Sequence, residues 1–217
     1  FEDFAGRCAR AFGDVVDLWC TLNEPNVFAM KGYAMGEWPP GTHDLARAAA
    51  VQAALLRAHA AAARALRTHD TTDADGDGHA TRIGLAHHLR VFEPASRSPL
   101  DVFLARTSAA FFNDTFPEAI AAGRVRVSVP GTFRVDEPCD GLAGSLDWFG
   151  VNYYSRDRVG FDVRRPLSPK LTVPAGRERN DLGWDLYPQG LHHLLVDAHR
   201  RWGWPLVVTE NGIADRT

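Results

Sequence analysis

Apolar runs and helical patterns alternate along this chain, and few folds accommodate that alternation. Residues 15–23, 82–92, 146–154 and 205–210 are short, rich in β-branched and aromatic side chains, and end in polar residues, as buried strands do. Helical patterns lie between them. Across 44–69, Leu45, Ala49, Gln52, Leu56, His59, Ala63 and Leu66 share one stripe, with Thr42 or Asp44 available as a cap. Residues 100–122 make a second pattern closed by Gly123, and 190–202 a third, entered through Pro188 and left through Gly203. Residues 1–12 read as the end of an earlier helix. Strands separated by helices imply a parallel sheet with crossover connections. The strand ends recur about every 60 residues, so a closed (β/α)8 barrel of such units needs about 500 residues. Four strands in 217 residues therefore predict an α/β chain that forms about half of a TIM barrel. An open doubly wound sheet is the alternative, but no glycine-rich phosphate loop announces one. The chain opens on Phe1 and stops at Thr217 directly after a strand and a turn, so residues 1–217 read as an internal fragment of one catalytic barrel domain.

Two of the strand-like runs end on glutamate. Leu18-Trp19-Cys20-Thr21-Leu22-Asn23-Glu24-Pro25 closes on Glu24, which the following proline biases toward an extended backbone. Pro205-Leu206-Val207-Val208-Thr209-Glu210-Asn211-Gly212 repeats the plan, with Gly212 free to turn. In a parallel barrel the carboxyl ends of all strands meet at one face, where active sites sit, so Glu24 and Glu210 are expected to share a pocket. Paired carboxylates there suit glycoside hydrolysis, one as a protonated acid and the other as an ionised nucleophile. A retaining mechanism would set the two carboxyl groups about 5–5.5 Å apart. Taken singly, each glutamate reads equally well as a capped or salt-bridged strand end.

The two motifs, Thr21-Leu22-Asn23-Glu24-Pro25 and Val208-Thr209-Glu210-Asn211-Gly212, resemble the acid/base and nucleophile motifs of glycoside hydrolase family 1, the β-glucosidase family. Between them, Gly32-Tyr33 with Trp38-Pro39-Pro40-Gly41, Phe92-Glu93-Pro94-Ala95-Ser96, Phe149-Gly150-Val151-Asn152-Tyr153-Tyr154 and Gly183-Trp184-Asp185-Leu186-Tyr187-Pro188-Gln189-Gly190-Leu191 follow in the family's order. The resemblance implies a retaining β-glycosidase acting on a β-linked glycoside or oligosaccharide, with barrel strands four to seven represented and no cofactor or metal. It implies Glu24 as acid/base, Glu210 as nucleophile and Asn23 as a hydrogen-bond partner of the sugar 2-hydroxyl. Tyr154 would donate its phenol to Glu210, and Asn152 would stand near the acid/base. Trp38, in a Pro/Gly loop, is the best candidate to stack on sugar, whereas Trp148 and Trp184 read as core. The chain departs from the family at Asn26, where a tryptophan is frequent, and at His87-His88, where asparagine is frequent; both put the aglycone preference in question. The family's residues that grip the glycone have no counterpart in 1–217, so the 217 residues alone are expected to be inactive. A 6-phospho-β-glycosidase, a sugar-binding half-barrel and, more distantly, a metal-dependent hydrolase are the other readings.

Composition excludes several classes. A net charge of −3 offers no footprint for nucleic acid. The apolar stretch 45–66 is interrupted by Gln52, Arg57, His59 and Arg64, so no membrane span is expected. Cys8, Cys20 and Cys139 are odd in number and far apart, which favours a reducing, cytoplasmic setting over a disulfide framework. Asp73-Ala74-Asp75-Gly76-Asp77-Gly78 imitates half a calcium loop but has Gly84 where the bidentate glutamate belongs, so it reads as a solvated acidic turn. His87-His88 and His192-His193 are adjacent residues whose side chains diverge and cannot chelate one ion. Asn113-Asp114-Thr115 fits a glycosylation sequon but lies inside a helical pattern.

Overall fold

In the computed structural model, residues 1–164, 169–173 and 176–216 are described. Helix α1 (Glu2–Phe12) leads into β1 (Leu18–Asn23), and Pro25 opens the short α2 (Pro25–Ala29), where a missing N–H costs nothing. A π-turn at Met30–Ala34 follows. Helix α3 (Leu45–His69) starts at Asp44, whose carboxylate accepts the Arg47 N–H at 3.0 Å. The run expected as one strand over 82–92 divides into β2 (Arg82–His88) and β3 (Val91–Pro94). Asn113 causes the break: its Oδ1 accepts the Arg90 N–H at 3.0 Å and its Nδ2 donates to the Arg90 carbonyl at 2.8 Å. Both groups are thereby withdrawn from a ladder.

The helical pattern over 100–122 divides in the same way, into α4 (Pro99–Ala109), a π-turn at Ala110–Asp114 and α5 (Thr115–Ala122). Pro117 lacks the N–H that an unbroken helix would direct to the carbonyl of Asn113. Gly123, at φ +64°, ends α5. An antiparallel hairpin absent from the strand count comes next, β4 (Arg124–Val129) with β5 (Phe133–Pro138). Then come β6 (Trp148–Tyr153), β7 (Arg156–Gly160), β8 (Lys170–Thr172), α6 (Pro188–Trp202) and β9 (Leu206–Asn211).

Strands β1, β2, β6 and β9, one from each of the four expected runs, form one sheet in that order. Neighbours in this sheet follow chain order, as stepwise winding with intervening helices requires. β1 and β2 are parallel, from Leu18 opposite Arg82 to Asn23 opposite Ala86, with an irregularity between Cys20 and Asn23. β3 pairs parallel with β7, and β7 antiparallel with β8.

The chain gathers into two compact units, one of residues 1–87, 115–150 and 204–207, the other of 88–114, 151–203 and 208–217. In the first, the α3 stripe is buried as its spacing predicts, at Ala49, Gln52, Leu56, His59, Ala63 and Leu66; only Leu45, in the first turn, is exposed. Small side chains let α1 lie close on α3, Ala5 and Ala9 meeting Ala62, Ala63, Ala65 and Leu66 above Ile83. Trp19 packs against this cluster and donates its indole N–H to Asp70 at 2.7 Å. Gly84 of β2 is required by the indole of Trp148, because a Cβ built there would lie 2.0 Å from the ring.

His59 is fully buried, with Nδ1 2.7 Å from Thr21 Oγ1 and Nε2 2.9 Å from Ser145 Oγ. Ser145 also donates to the Leu142 carbonyl at 2.7 Å. Thr21 Oγ1 also lies 3.1 Å from the Gly84 carbonyl, so a neutral ring, protonated on one nitrogen, meets both hydroxyls with one of them donating to the ring and the other accepting from it. Burial, with Arg67 adding to it, pulls the His59 pKa down to about 4. In the second unit, Asp101 accepts Ser96 Oγ at 2.6 Å and the Phe161 N–H at 2.9 Å, and the Ser96 bond leads in lowering its pKa.

Candidate active site

The first unit supplies Asn23, Glu24 and Trp38. Glu24 is not extended as its proline neighbour suggests: it sits at φ 47°, ψ 52°, the one left-handed non-glycine among the described residues. The reason is a strand-to-helix reversal completed within a single residue. Its N–H still bonds across the sheet to the Ala86 carbonyl at 2.8 Å, while its carbonyl already accepts the Phe28 N–H at 3.0 Å. Those two bonds hold a conformation that costs an ordinary residue on the order of 1–2 kcal/mol. Asn23, the last residue of β1, is exposed opposite Ala86. Asn26, in place of the frequent tryptophan, is fully buried and offers no aglycone floor. Trp38 is 47% exposed in the loop after the first π-turn, its backbone N–H on the Lys31 carbonyl at 3.1 Å.

The second unit supplies Asn152, Tyr154 and Glu210, and here the geometry is dense. The Tyr154 phenol donates to Glu210 Oε2 at 2.6 Å. Thr209 Oγ1 donates to Asn152 Oδ1 at 2.5 Å, and Asn211 Nδ2 donates to the Tyr153 carbonyl at 2.7 Å. Three successive residues at the end of β9 are thus tied to three successive residues at the end of β6. Asn152, expected beside the acid/base, is occupied with the neighbour of Glu210. Tyr153 points elsewhere, donating to the Tyr187 carbonyl at 2.6 Å, and burial pushes its phenol pKa up. A Cβ on Gly190 would lie 2.1 Å from that phenol, which explains the glycine.

Sequence reasoning did not single out Thr209, Asn211, Arg90 or Asp157. Arg90 donates to Asp157 Oδ2 at 2.8 Å and lies 5.6 Å from the Trp184 ring centroid. Trp184, read as core, is half-buried, and its ring is 5.9 Å from that of Tyr154. Only His88 carried a signal, as a departure from the frequent asparagine; its ring stands edge-on to Tyr154 at 5.7 Å. Trp148, also read as core, is 6% exposed.

The motifs set aside have local roles. Asp73 accepts N–H bonds from Gly76, Asp77 and Gly78 at 2.8–3.1 Å, and Asp77 pairs with Arg82. Carboxylate oxygens of Asp17, Asp73 and Asp75 lie within 4.8 Å of one another, but both Asp17 oxygens already accept the Ala74 and Asp75 N–H groups. Asn113, the sequon asparagine, is 7% exposed, and its amide is committed to Arg90. Among the described residues no helix is long and apolar enough to cross a membrane.

Glutamates at the carboxyl ends of strands in a wound parallel sheet are the arrangement that glycoside-hydrolysing α/β barrels use. The chain belongs to glycosyl hydrolase family 1, whose family model matches residues 1–217. It is 34% identical over 237 residues to a Pyrococcus woesei beta-galactosidase, spanning 99% of this chain and 46% of that protein. A Thermotoga maritima beta-glucosidase A is 31% identical over 225 residues, spanning 99% of this chain and 48% of that one. The solved beta-glycosidase from Pyrococcus horikoshii superposes with a TM-score of 0.81 at 30% identity, covering 100% of this chain and 47% of its own. The chain therefore spans about half the length of the relatives it matches, and its fold is part of a (β/α)8 barrel.

Proposed function

We propose that the protein to which these 217 residues belong is a retaining β-glycosidase, with β-glucosides as the first substrates to test. Residues 1–217 are read as part of its single catalytic barrel domain. Glu210 attacks the anomeric carbon as a carboxylate. The glycosidic C–O bond breaks, and the departing oxygen takes its proton from Glu24. Water then attacks the glycosyl ester, giving its proton to the Glu24 carboxylate and releasing Glu210. Asn23 holds the sugar 2-hydroxyl, Trp38 stacks on sugar beyond the glycone, and Asn152 fixes the chain next to Glu210.

The observation that carries the reading is the 2.6 Å bond from Tyr154 to Glu210 Oε2. A phenol on one carboxylate oxygen leaves the other free to form the ester bond and orients it. Cys8, Cys20 and Cys139 form no disulfide, which fits a cytoplasmic setting. The 217 residues by themselves are proposed to be inactive. The experiment is to treat the complete protein with a 2-deoxy-2-fluoro-β-glucoside and map the label by peptide mass spectrometry. A label on Glu210 is expected; a label on another residue, or none, overturns the assignment.

A further inference from the structure

Tyr154 is held by more than its bond to Glu210. Its ring meets His88 edge-on, with centroids 5.7 Å apart and planes at 66°. It also meets Trp184 at 5.9 Å and 57°. His88 is in turn edge-on to Phe112 at 5.5 Å and 76°, and Phe112 to Phe92 at 5.8 Å and 75°. His88 closes β2 and is 6% exposed, so the ring has little room to move. Phe112 sits in the π-turn Ala110–Asp114, one residue before Asn113. That turn thus does two things at once. It presents Phe112 to His88, and it clamps the backbone of Arg90 two residues further on, through Asn113 at 3.0 and 2.8 Å. The Leu89 N–H, between them, is fixed on the Asn152 carbonyl at 2.9 Å. π-Turns inside helices recur at functional sites because they aim side chains a regular helix would misdirect.

We propose that His88 is a positioning residue for the glycosylation step. Seated on Phe112 of the π-turn, it sets the tilt of the Tyr154 ring that places the phenol on Glu210. A phenol swings about its Cα–Cβ and Cβ–Cγ bonds, so a hydroxyl held at 2.6 Å from a carboxylate requires contacts that fix the ring itself. All the residues involved, from 88 to 210, belong to the second unit. His88 touches no reacting atom and acts only through Tyr154. The inference rests on the nucleophile assignment of Glu210.

The test is a double-mutant cycle in the complete protein, read as the rate of inactivation by a 2-deoxy-2-fluoro-β-glucoside, which reports the glycosylation step alone. His88→Ala is expected to slow inactivation about three- to tenfold, the range of a lost aromatic pair. It should slow it less than twofold in a Tyr154→Phe background, where no phenol remains to be placed. His88→Phe keeps a ring edge and should recover most of the rate. Equal losses in both backgrounds, or no recovery with phenylalanine, would overturn the proposal. Should His88→Ala fail to fold, His88→Leu, which fills the space without an aromatic edge, carries the same expectation. A crystal structure of the complete His88 variant supplies a readout independent of activity: the Tyr154–Glu210 separation should lengthen beyond hydrogen-bond range, and an unchanged bond sinks the idea. If the wild-type protein takes no label at Glu210, it is the nucleophile assignment that fails, while the crystal structure still decides whether His88 places Tyr154.

Discussion

Glu24 is held in a left-handed conformation by one bond to the sheet and one to the first turn of α2, so its side chain leaves the backbone in a direction no extended residue would use. In the general-acid role proposed for it, Glu24 matters in proportion to how badly the leaving group needs a proton. Glu24→Gln, nearly isosteric, should slow hydrolysis of alkyl β-glucosides by about 100-fold or more. A 2,4-dinitrophenyl β-glucoside, which departs without a proton, should lose far less in its first step; parallel losses on both substrates in burst kinetics would remove Glu24 from the acid role. At this scale the sequence showed which residues stand at the strand ends and was silent about their conformation. Glutamates before Pro25 and Asn211 are visible in the string. The left-handed turn is not, because local preference before proline points to an extended backbone and only the bonds to Ala86 and Phe28 override it.

Strands and helices were legible where burial is continuous and blurred where side chains intervene. The four buried runs became the four strands of one sheet, but Asn113 cut 82–92 in two by capturing Arg90, a contact between residues 23 positions apart. The β4–β5 hairpin did leave a trace, the alternation Arg-Val-Arg-Val-Ser-Val followed by Pro130 and Gly131. Its half-buried strands lack the continuous apolar character of the other four.

Two predictions belong to the elements. Gly84→Ala drives a methyl into the Trp148 indole, and β2 should lose about 1–3 kcal/mol of stability, measured by urea unfolding of the complete protein. His59, neutral between Thr21 and Ser145, ties β1 to α3 and titrates at about 4 when folded, against 6.5 for an unperturbed histidine. The unfolded chain therefore binds the extra proton between those values, and stability present above pH 6.5 should fall by up to about 3 kcal/mol as pH drops to 4. His59→Gln should flatten that part of the profile, and an unchanged slope would locate the acid sensitivity elsewhere.

At the scale of the whole molecule, β1 and β9 stand at the two ends of the sheet order, and the first unit leaves Phe1, Phe4, Phe12, Val15 and Leu18 exposed. Apolar side chains and strand edges in that condition recruit partners. The 217 residues expressed alone should bind an environment-sensitive dye such as ANS more strongly than the complete protein. They should also hydrolyse p-nitrophenyl β-glucoside at less than a tenth of its rate; a monomeric, dye-silent chain with comparable activity would contradict this. Each of the two compact units is assembled from three separate stretches of chain, with β6 and β9 beginning in one and ending in the other. No single cut in the gene can therefore deliver either unit by itself. A truncation from the start damages both units once it passes residue 87, and one from the end once it passes residue 208. Recombination between relatives should succeed when crossovers fall in the loops between helices and strands, and fail when they fall inside β6 or β9.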